Sequence, residues 1–484
     1  MKKKFIESLG LVLLLNLLVK PFWIFGIDRT VQNVVGPHDY GVYFALFNFS
    51  LILNIILDLG LTNYNNRNIS QHQFLLSKHF SNIVVLKFLL AIVYFIVTVA
   101  IAFVLGYDVV EVEMLLFLAF NQFLLSFILY LRSNLAGLHL FKTDSFISVL
   151  DRLLMIALCS VLLWGNITDK QFQIEWFVYA QTIAYGLTAV IVFILVAAKA
   201  EFLKLKFDFT FFRAILRKSL PFALLILLMA FYYRVDSVML NRMLPEGNVQ
   251  AGIYAQGFRV LDAATMFAFL FAGLLLPIFS HMIKKKQNIN QMVGLSVMLL
   301  LVPVILLAVT SYFYRYELMD LLYHHDITES SPVFGILILA FIPIASSYIF
   351  GTLLTANGSL KALNIMSFGG MILNIILNLI LIPKYQAFGS AIASIFTQAL
   401  IAVIQIIISY KIFNFRINYA LMIRFLIYLL MIVGACFLAE RLNIHWLYQF
   451  SLILVGGFLF AILIKLFTIK GLYKILKYDE PSVG

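Results

Sequence analysis

Charged, Gly/Pro and Asn-rich punctuation divides the chain into fourteen apolar runs, near 8–33, 41–66, 82–105, 113–139, 146–166, 175–198, 219–244, 251–282, 290–314, 332–357, 362–383, 389–411, 419–440 and 447–467. About 20 consecutive apolar residues cross the hydrocarbon core of a bilayer. A chain made almost wholly of such runs has one fold class open to it, an all-α integral membrane protein of about fourteen transmembrane helices. Composition agrees: 63% of the 484 residues are apolar and 12% charged, against roughly 45–50% and 25% in soluble domains. The longest segments between runs, 199–218 and 315–331, are too short for a catalytic domain. A water-soluble enzyme is excluded.

The net charge of +12 first reads as topology, not as a nucleic-acid partner. With the N-terminus inside, 22 of the 35 Lys and Arg fall in cytoplasmic segments, and only Lys170, Arg315, Lys384 and Arg441 fall outside. That is the positive-inside pattern, and it puts both termini in the cytoplasm. Lys284-Lys285-Lys286 and the cluster from Lys199 to Lys218 read as a collar at anionic headgroups. The opening Met1-Lys2-Lys3-Lys4 and its apolar run lack a small-residue cleavage site, so the first run is expected to stay as a helix. Cys159 and Cys436 lie inside apolar runs and read as small buried hydrophobes.

Two halves register against each other. Gly41-Val42-Tyr43-Phe44 and Gly252-Ile253-Tyr254-Ala255 each follow a turn, at an offset of 211, while Lys142 with Ser148 and Lys361 with Ser367 share a spacing of six. Six helices per unit preserve orientation, so the expectation is two parallel six-helix lobes, related by a pseudo-two-fold around a central cavity. The expected divisions are an N-terminal lobe over 1–218, a C-terminal lobe over 219–418, and two further helices with a tail over 419–484.

Catalytic signatures are missing. No phosphate-loop motif and no His-Glu-x-x-His occurs, and Glu111-Val112-Glu113, which mimics the acidic pair of membrane glycosyltransferases, sits in a short loop. The informative residues are charges placed where hydrocarbon should be: Lys20, Asp28, Arg29, Asp58, Lys87, Arg132, Asp151, Arg152, Arg234, Asp236, Arg242, Arg259, Asp262 and Arg424. Such groups cost a few kcal/mol or more against lipid and so mark partners or a water-filled interior. Lys87 and the Asp151-Arg152 pair sit near helix ends, where snorkelling is the plain reading. Arg259 and Asp262 stand at i, i+3 and are placed to neutralise each other. Guanidinium groups in excess suit an anion, since Arg binds phosphate bidentately, and suit a cationic drug poorly.

Several stretches resemble the multidrug/oligosaccharidyl-lipid/polysaccharide exporters, and within them the Wzx-like polysaccharide flippases. Val35-Gly36-Pro37-His38-Asp39-Tyr40-Gly41-Val42-Tyr43 resembles the turn joining the first two helices. Leu57-Asp58-Leu59-Gly60-Leu61 with Arg67 resembles the end of the second. Asp236 to Gly252-Ile253-Tyr254 is similar to the hairpin of helices 7 and 8. Gly351-Thr352-Leu353-Leu354, Asn357-Gly358, Asn374 with Asn378, Ile382-Pro383 and Gly389-Ser390-Ala391 follow the order of the region of helices 10 to 12.

The resemblance implies translocation of an undecaprenyl-pyrophosphate-linked oligosaccharide from the inner to the outer leaflet by alternating access in a bacterial inner membrane, without chemistry on the substrate. Membrane lipids and other polysaccharide-assembly membrane proteins are the implied partners, and no nucleic acid is expected. Lys20, Arg29, Arg234 and Arg259 are then the candidate pyrophosphate-binding residues, with Arg132 and Arg152 as entry contacts and Asp58 in the same cavity set. Depth arithmetic at about 1.5 Å per residue puts Asp236, Asn374, Asn378 and Ser394 in one layer, roughly 8–14 Å from the outer helix ends. One carboxylate with neutral oxygens suits a hard cation. The lipid II flippases, which this region resembles, hold sodium at matching positions, although Asn378 stands where a second carboxylate is expected. Sodium at these four residues, or a proton carried by Asp236, is the expected coupling ion, and no other cofactor is expected. A lipid II flippase and a cation-coupled multidrug exporter are the alternatives, and a membrane-embedded glycosyl polymerase or ligase is a third.

Overall fold

A computed structural model describes residues 15, 18–72, 74–165, 169–200, 209–415 and 418–466. The expected retained N-terminal segment and both termini lie largely outside them. A π-helical turn, Trp23–Asp28, leads into fourteen helices: α1 (Arg29–Ile52), α2 (Leu61–Gln71), α3 (Leu75–Val104), α4 (Val109–Gly137), α5 (Phe141–Trp164), α6 (Ile174–Ala197), α7 (Phe209–Met243), α8 (Gly247–Lys284), α9 (Asn290–Phe313), α10 (Arg315–Leu322), α11 (Ile327–Ala356), α12 (Leu360–Phe413), α13 (Tyr419–Ala439) and α14 (Trp446–Leu463). Among the described residues, eleven helices are long and apolar enough to cross a membrane. The protein is all-α, as the apolar runs require.

Three places show how runs become helices. Within α1, Gly36 at φ 80° interrupts the helix just before Pro37, a conformation open to glycine and costly for other residues; the end of the first run and the start of the second join there. The second run does not continue unbroken to residue 66 as expected. It stops at Ile52, passes through a 3-10 turn at Asn54–Leu57 and restarts at Leu61 after Leu59 and Gly60, both with positive φ. Within α12, Gln386 at φ 50° and ψ −133° separates two helices, and the bond from Ser390 Oγ to Asn378 Oδ1 (2.8 Å) shows the chain folding back on itself.

The chain separates into two units, Met1–Gly252 and Ile253–Gly484. In the first, α1 packs on α4, α6 and α7, so α7, which opens the expected C-terminal lobe, lies here against α1. Its interior is aromatic, with Tyr40, Tyr43, Phe44 and Phe177 all buried. In the second unit α11 packs on α9 and α12, and α13 and α14 pack on α9. Tyr428, Ile432 and Ile453 meet Val302, Leu306 and Val309 there, and Tyr314 Oη donates to Gln449 Oε1 at 2.9 Å. The other faces of α13 and α14 are exposed and apolar, the pattern of helices that contact lipid. Cys159 and Cys436 are buried free thiols.

Candidate functional site

The embedded charges of the first unit fall into two kinds, those neutralised by a carboxylate and those that are not. Arg132 belongs to the first: its Nε and Nη2 donate to the two oxygens of Asp144 at 2.8 and 3.4 Å, in bidentate geometry. Lys87 belongs there too. It is 1% exposed and does not snorkel, contrary to the reading from its place near a helix end. Its ammonium donates to Asp58 Oδ1 (2.6 Å), Ser126 Oγ (3.0 Å) and the Leu57 carbonyl (3.0 Å). The helix break at 53–60 is what turns Asp58 toward it. Asp58 also accepts from the Thr62 hydroxyl and, at 3.3 Å, from the Thr62 N–H. Its carboxylate is thus engaged within the protein.

Arg152 is of the second kind. Its Nη1 donates to Tyr185 Oη at 2.7 Å and to Met155 Sδ at 3.8 Å. Its guanidinium lies over the rings of Trp23 and Tyr185, 5.7 and 5.6 Å from their centroids. Trp23 is stacked on Phe177 at 5.6 Å and 4°, Tyr43 meets Phe177 edge-on at 5.3 Å, and Gln181 Nε2 donates to Tyr43 Oη at 2.9 Å. An aromatic frame fixes the guanidinium without cancelling its charge, because rings attract a cation through a quadrupole and not through a full negative charge. Asp151, the carboxylate next to it in sequence, accepts from the backbone N–H of Arg152 (2.8 Å) and lies in electrostatic range of its guanidinium without a hydrogen bond to it. Lys20 lies within electrostatic range of Arg152, Asp151 and Arg132. Arg29 has a buried Nε that meets no acceptor.

Arg234 donates to Asn48 Oδ1 at 2.7 Å and rests over Tyr233 at 5.4 Å. The structure therefore brings Lys20, Arg132 and Arg152 together in the first unit and holds Arg29 and Arg234 on α1 and α7. Arg259 and Asp262 belong to the second unit, each with interaction partners. Asp28, one of the embedded charges noted in the sequence but given no role there, is 2% exposed, and its carboxylate accepts from Tyr40 Oη (2.9 Å to each oxygen) and Gln32 Nε2 (3.2 Å). The i, i+4 spacing of Asp28 and Gln32 was the cue for it.

The four candidate coupling residues are divided between the units. Asp236 is fully buried in the first. In the second, Asn378 Nδ2 donates to the carbonyl and side-chain oxygen of Asn374 at 3.0 and 3.1 Å, and Ser390, not Ser394, donates to Asn378. Among the described residues no three His, Cys, Asp or Glu side chains gather to hold a metal.

At the end of the unit where α1 reverses, Gly41 and Gly252, the two glycines at an offset of 211, are in mutual contact. A Cβ on Gly41 would run into Asn248 O, and one on Gly252 into Pro37 O. Pro37 and Asn248 are separated by the same 211 positions, so the contact is symmetric in the repeat. Around it Asn248 meets His38 (3.2 Å) and Asn241 (2.6 Å), and Arg242 binds Asn241 (2.8 Å), the Gly106 carbonyl (3.2 Å) and Glu111 (2.5 Å) over the Tyr107 ring at 4.0 Å. Glu111 also closes a capping box with Asp108. Both its oxygens are committed, which removes the glycosyltransferase-like reading of Glu111-Val112-Glu113.

The family model of polysaccharide biosynthesis proteins matches residues 25–283, more than half of the sequence. The chain belongs to the polysaccharide biosynthesis protein family. This member has the fold of the MOP superfamily. It is similar to the lipid II flippase MurJ in an inward closed conformation (16% identity, 94% of this chain and 99% of that one, TM-score 0.63). It also resembles an inward-facing multidrug resistance MATE family transporter of the MOP superfamily (15%, 81% and 94%, TM-score 0.60) and the Vibrio cholerae MATE transporter VcmN in its bent form (14%, 85% and 97%, TM-score 0.55). No curated protein sequence matches the chain significantly.

Proposed function

We propose that this polysaccharide biosynthesis family member is a flippase that carries polyprenyl-pyrophosphate-linked oligosaccharide units from the inner to the outer leaflet of a bacterial inner membrane by alternating access. The carrying observation is Arg152, set in an aromatic frame with no carboxylate bonded to its guanidinium and with Lys20 in electrostatic range. Asp151 stands in electrostatic range of this guanidinium without bonding to it, and inside a membrane a guanidinium so placed is costly unless an anion or water meets it. A diphosphate presents the oxygens that its fork matches. Within the first unit the pyrophosphate would engage Arg152, Lys20 and Arg29 first and then Arg234, while Arg259 is the candidate of the second unit. Partners in this reading are the lipid-linked oligosaccharide, membrane lipids and other membrane proteins of polysaccharide assembly.

The polysaccharide biosynthesis family match favours a lipid-linked sugar over a soluble drug, and the likeness to MurJ keeps lipid II as the second reading. Ion coupling belongs to the same proposal: Asp236, Asn374, Asn378 and Ser394 are the candidate sodium or proton residues. The test is leaflet exchange of fluorescent lipid-linked oligosaccharide in liposomes under separately imposed sodium and pH gradients. Wild type should exchange an oligosaccharide unit and respond to one gradient, and Asp236→Asn should lose that response. Exchange of lipid II alone would move the assignment to the second reading.

A further inference from the structure

Buried polar side chains run along both halves of α12, and several of them meet no partner among the described residues. On the first half, Ser367, Asn374 and Asn378 lie on one face. On the second, Ser390, Thr397, Gln398, Gln405 and Ser409 do so at helical spacing; all eight are between 0 and 4% exposed. At one end Asn374, Asn378 and Ser390 bond to one another. Beyond them, Asn374 Nδ2, Thr397 Oγ1, Gln398 Nε2, Gln405 Oε1, Ser409 Oγ and Ser367 Oγ are buried and meet no protein donor or acceptor. On α11, Gly351 leaves room for the Gln405 amide, 3.2 Å from where a glycine Cβ would stand. Ser347 Oγ, one turn away on α11, is also unsatisfied.

An orphaned buried polar group is destabilising, the more so where no water is at hand in hydrocarbon. Six such groups together would offset a large part of the narrow margin by which a protein stays folded. Ser390 to Ser409 is nineteen residues, so the seam is about 28 Å long, close to the roughly 30 Å thickness of a hydrocarbon core. A buried water makes about three hydrogen bonds to such groups and is retained where a site is polar.

We propose that this seam in the second unit holds a file of internal water, running from Ser409, past Ser367 at about 16 Å from Asn378, to the Asn374–Asn378–Ser390 cluster. There the bonds of Asn378 to Asn374 Oδ1 and of Ser390 to Asn378 close it. The result is a half-channel and not a pore. It offers protons from one face a route to the asparagine pair and stops them there. Hydration of the seam does not depend on what the protein carries.

X-ray hydroxyl-radical labelling in H2(18)O of the full chain in liposomes reads this directly, because radicals form at bound waters. Met366, beside Ser367 and 6% exposed, should label at least fivefold faster than Met319, which is fully buried in an apolar cluster. Equal rates overturn the proposal. The variants Thr397→Val and Gln405→Leu give an independent reading. If the seam is dry, each removes an unsatisfied group and raises the unfolding temperature; if it is wet, each leaves that temperature unchanged or lowers it, and labelling of Met366 falls. A raised unfolding temperature with unchanged labelling overturns the proposal even if Met366 labels quickly.

Discussion

Replacing Lys87 with methionine keeps the length of the side chain and removes the ammonium that holds Asp58, Ser126 and the Leu57 carbonyl together. At 2.6 Å and an effective dielectric near 20, the Coulomb attraction of the pair is about 6 kcal/mol, and desolvation of the two ions offsets several kcal/mol of it. Breaking a buried pair from one side typically costs about 3–5 kcal/mol. Asp58 keeps a quarter of its side chain exposed, so its charge stays partly hydrated, and the expected loss for Lys87→Met is nearer about 2–3 kcal/mol. Asp58→Asn should cost a similar amount, because it leaves the almost wholly buried ammonium short of its counter-ion. The double variant should cost about 2–4 kcal/mol, less than the sum of the two single losses by a coupling of about 2 kcal/mol. Reversible unfolding in mixed micelles titrated with SDS, followed by tryptophan fluorescence, measures all three. A coupling below about 0.5 kcal/mol would refute the claim that this pair secures the helix break.

Three further expectations follow from particular contacts. Gly41→Val or Gly252→Val forces apart a contact at backbone distance and should destabilise by at least about 1–3 kcal/mol, the two substitutions by similar amounts because the contact is symmetric; thermal unfolding in detergent checks this. Arg152→Ala should abolish leaflet exchange at near-normal membrane abundance, whereas Arg132→Ala, which strands Asp144, should lower abundance; equal behaviour of the two in transport and immunoblot assays would contradict the division into free and neutralised cations. Burial holds the Tyr107 phenol, in the turn between α3 and α4, above its ordinary range. The fold thus favours the neutral form, and the stability this contributes is present below about pH 10 and is lost as pH rises toward the raised value. Tyr107→Phe should show a smaller loss of unfolding temperature than wild type between pH 9 and 11.

What was legible in the sequence was what depends on periodicity and composition. The apolar runs after the N-terminal region became helices close to their expected ranges, and Gly36-Pro37 marked a real reversal. The second run was misread because Leu57-Asp58-Leu59 is apolar enough to continue a helix. Only the positive φ at Leu59 and Gly60, imposed by packing on α3 and α4, breaks it. That break in turn decided Lys87: with the helix continuous, Asp58 would not have faced it, and snorkelling was the reasonable expectation. The frame of Arg152 was illegible for a different reason. Trp23, Arg152 and Tyr185 come from the π-helical turn, α5 and α6, and no spacing in one sequence links a guanidinium to one ring 33 residues away and another more than a hundred residues away. Arg132 and Asp144 lie twelve residues apart across the turn between α4 and α5, so their pairing needed the geometry of that turn.

In the proposed function, cations of the first unit that no carboxylate bonds, Arg152 foremost, carry the pyrophosphate of a lipid-linked sugar across the bilayer. Its most direct measurement is leaflet exchange in proteoliposomes of a fluorescent polyprenyl-linked oligosaccharide, made once with a pyrophosphate linkage and once with a neutral ether linkage. The account predicts exchange of the pyrophosphate form alone, lost in Arg152→Ala, with product mass unchanged. Equal exchange of both forms, or exchange of neither while a cationic dye is exported, would contradict it.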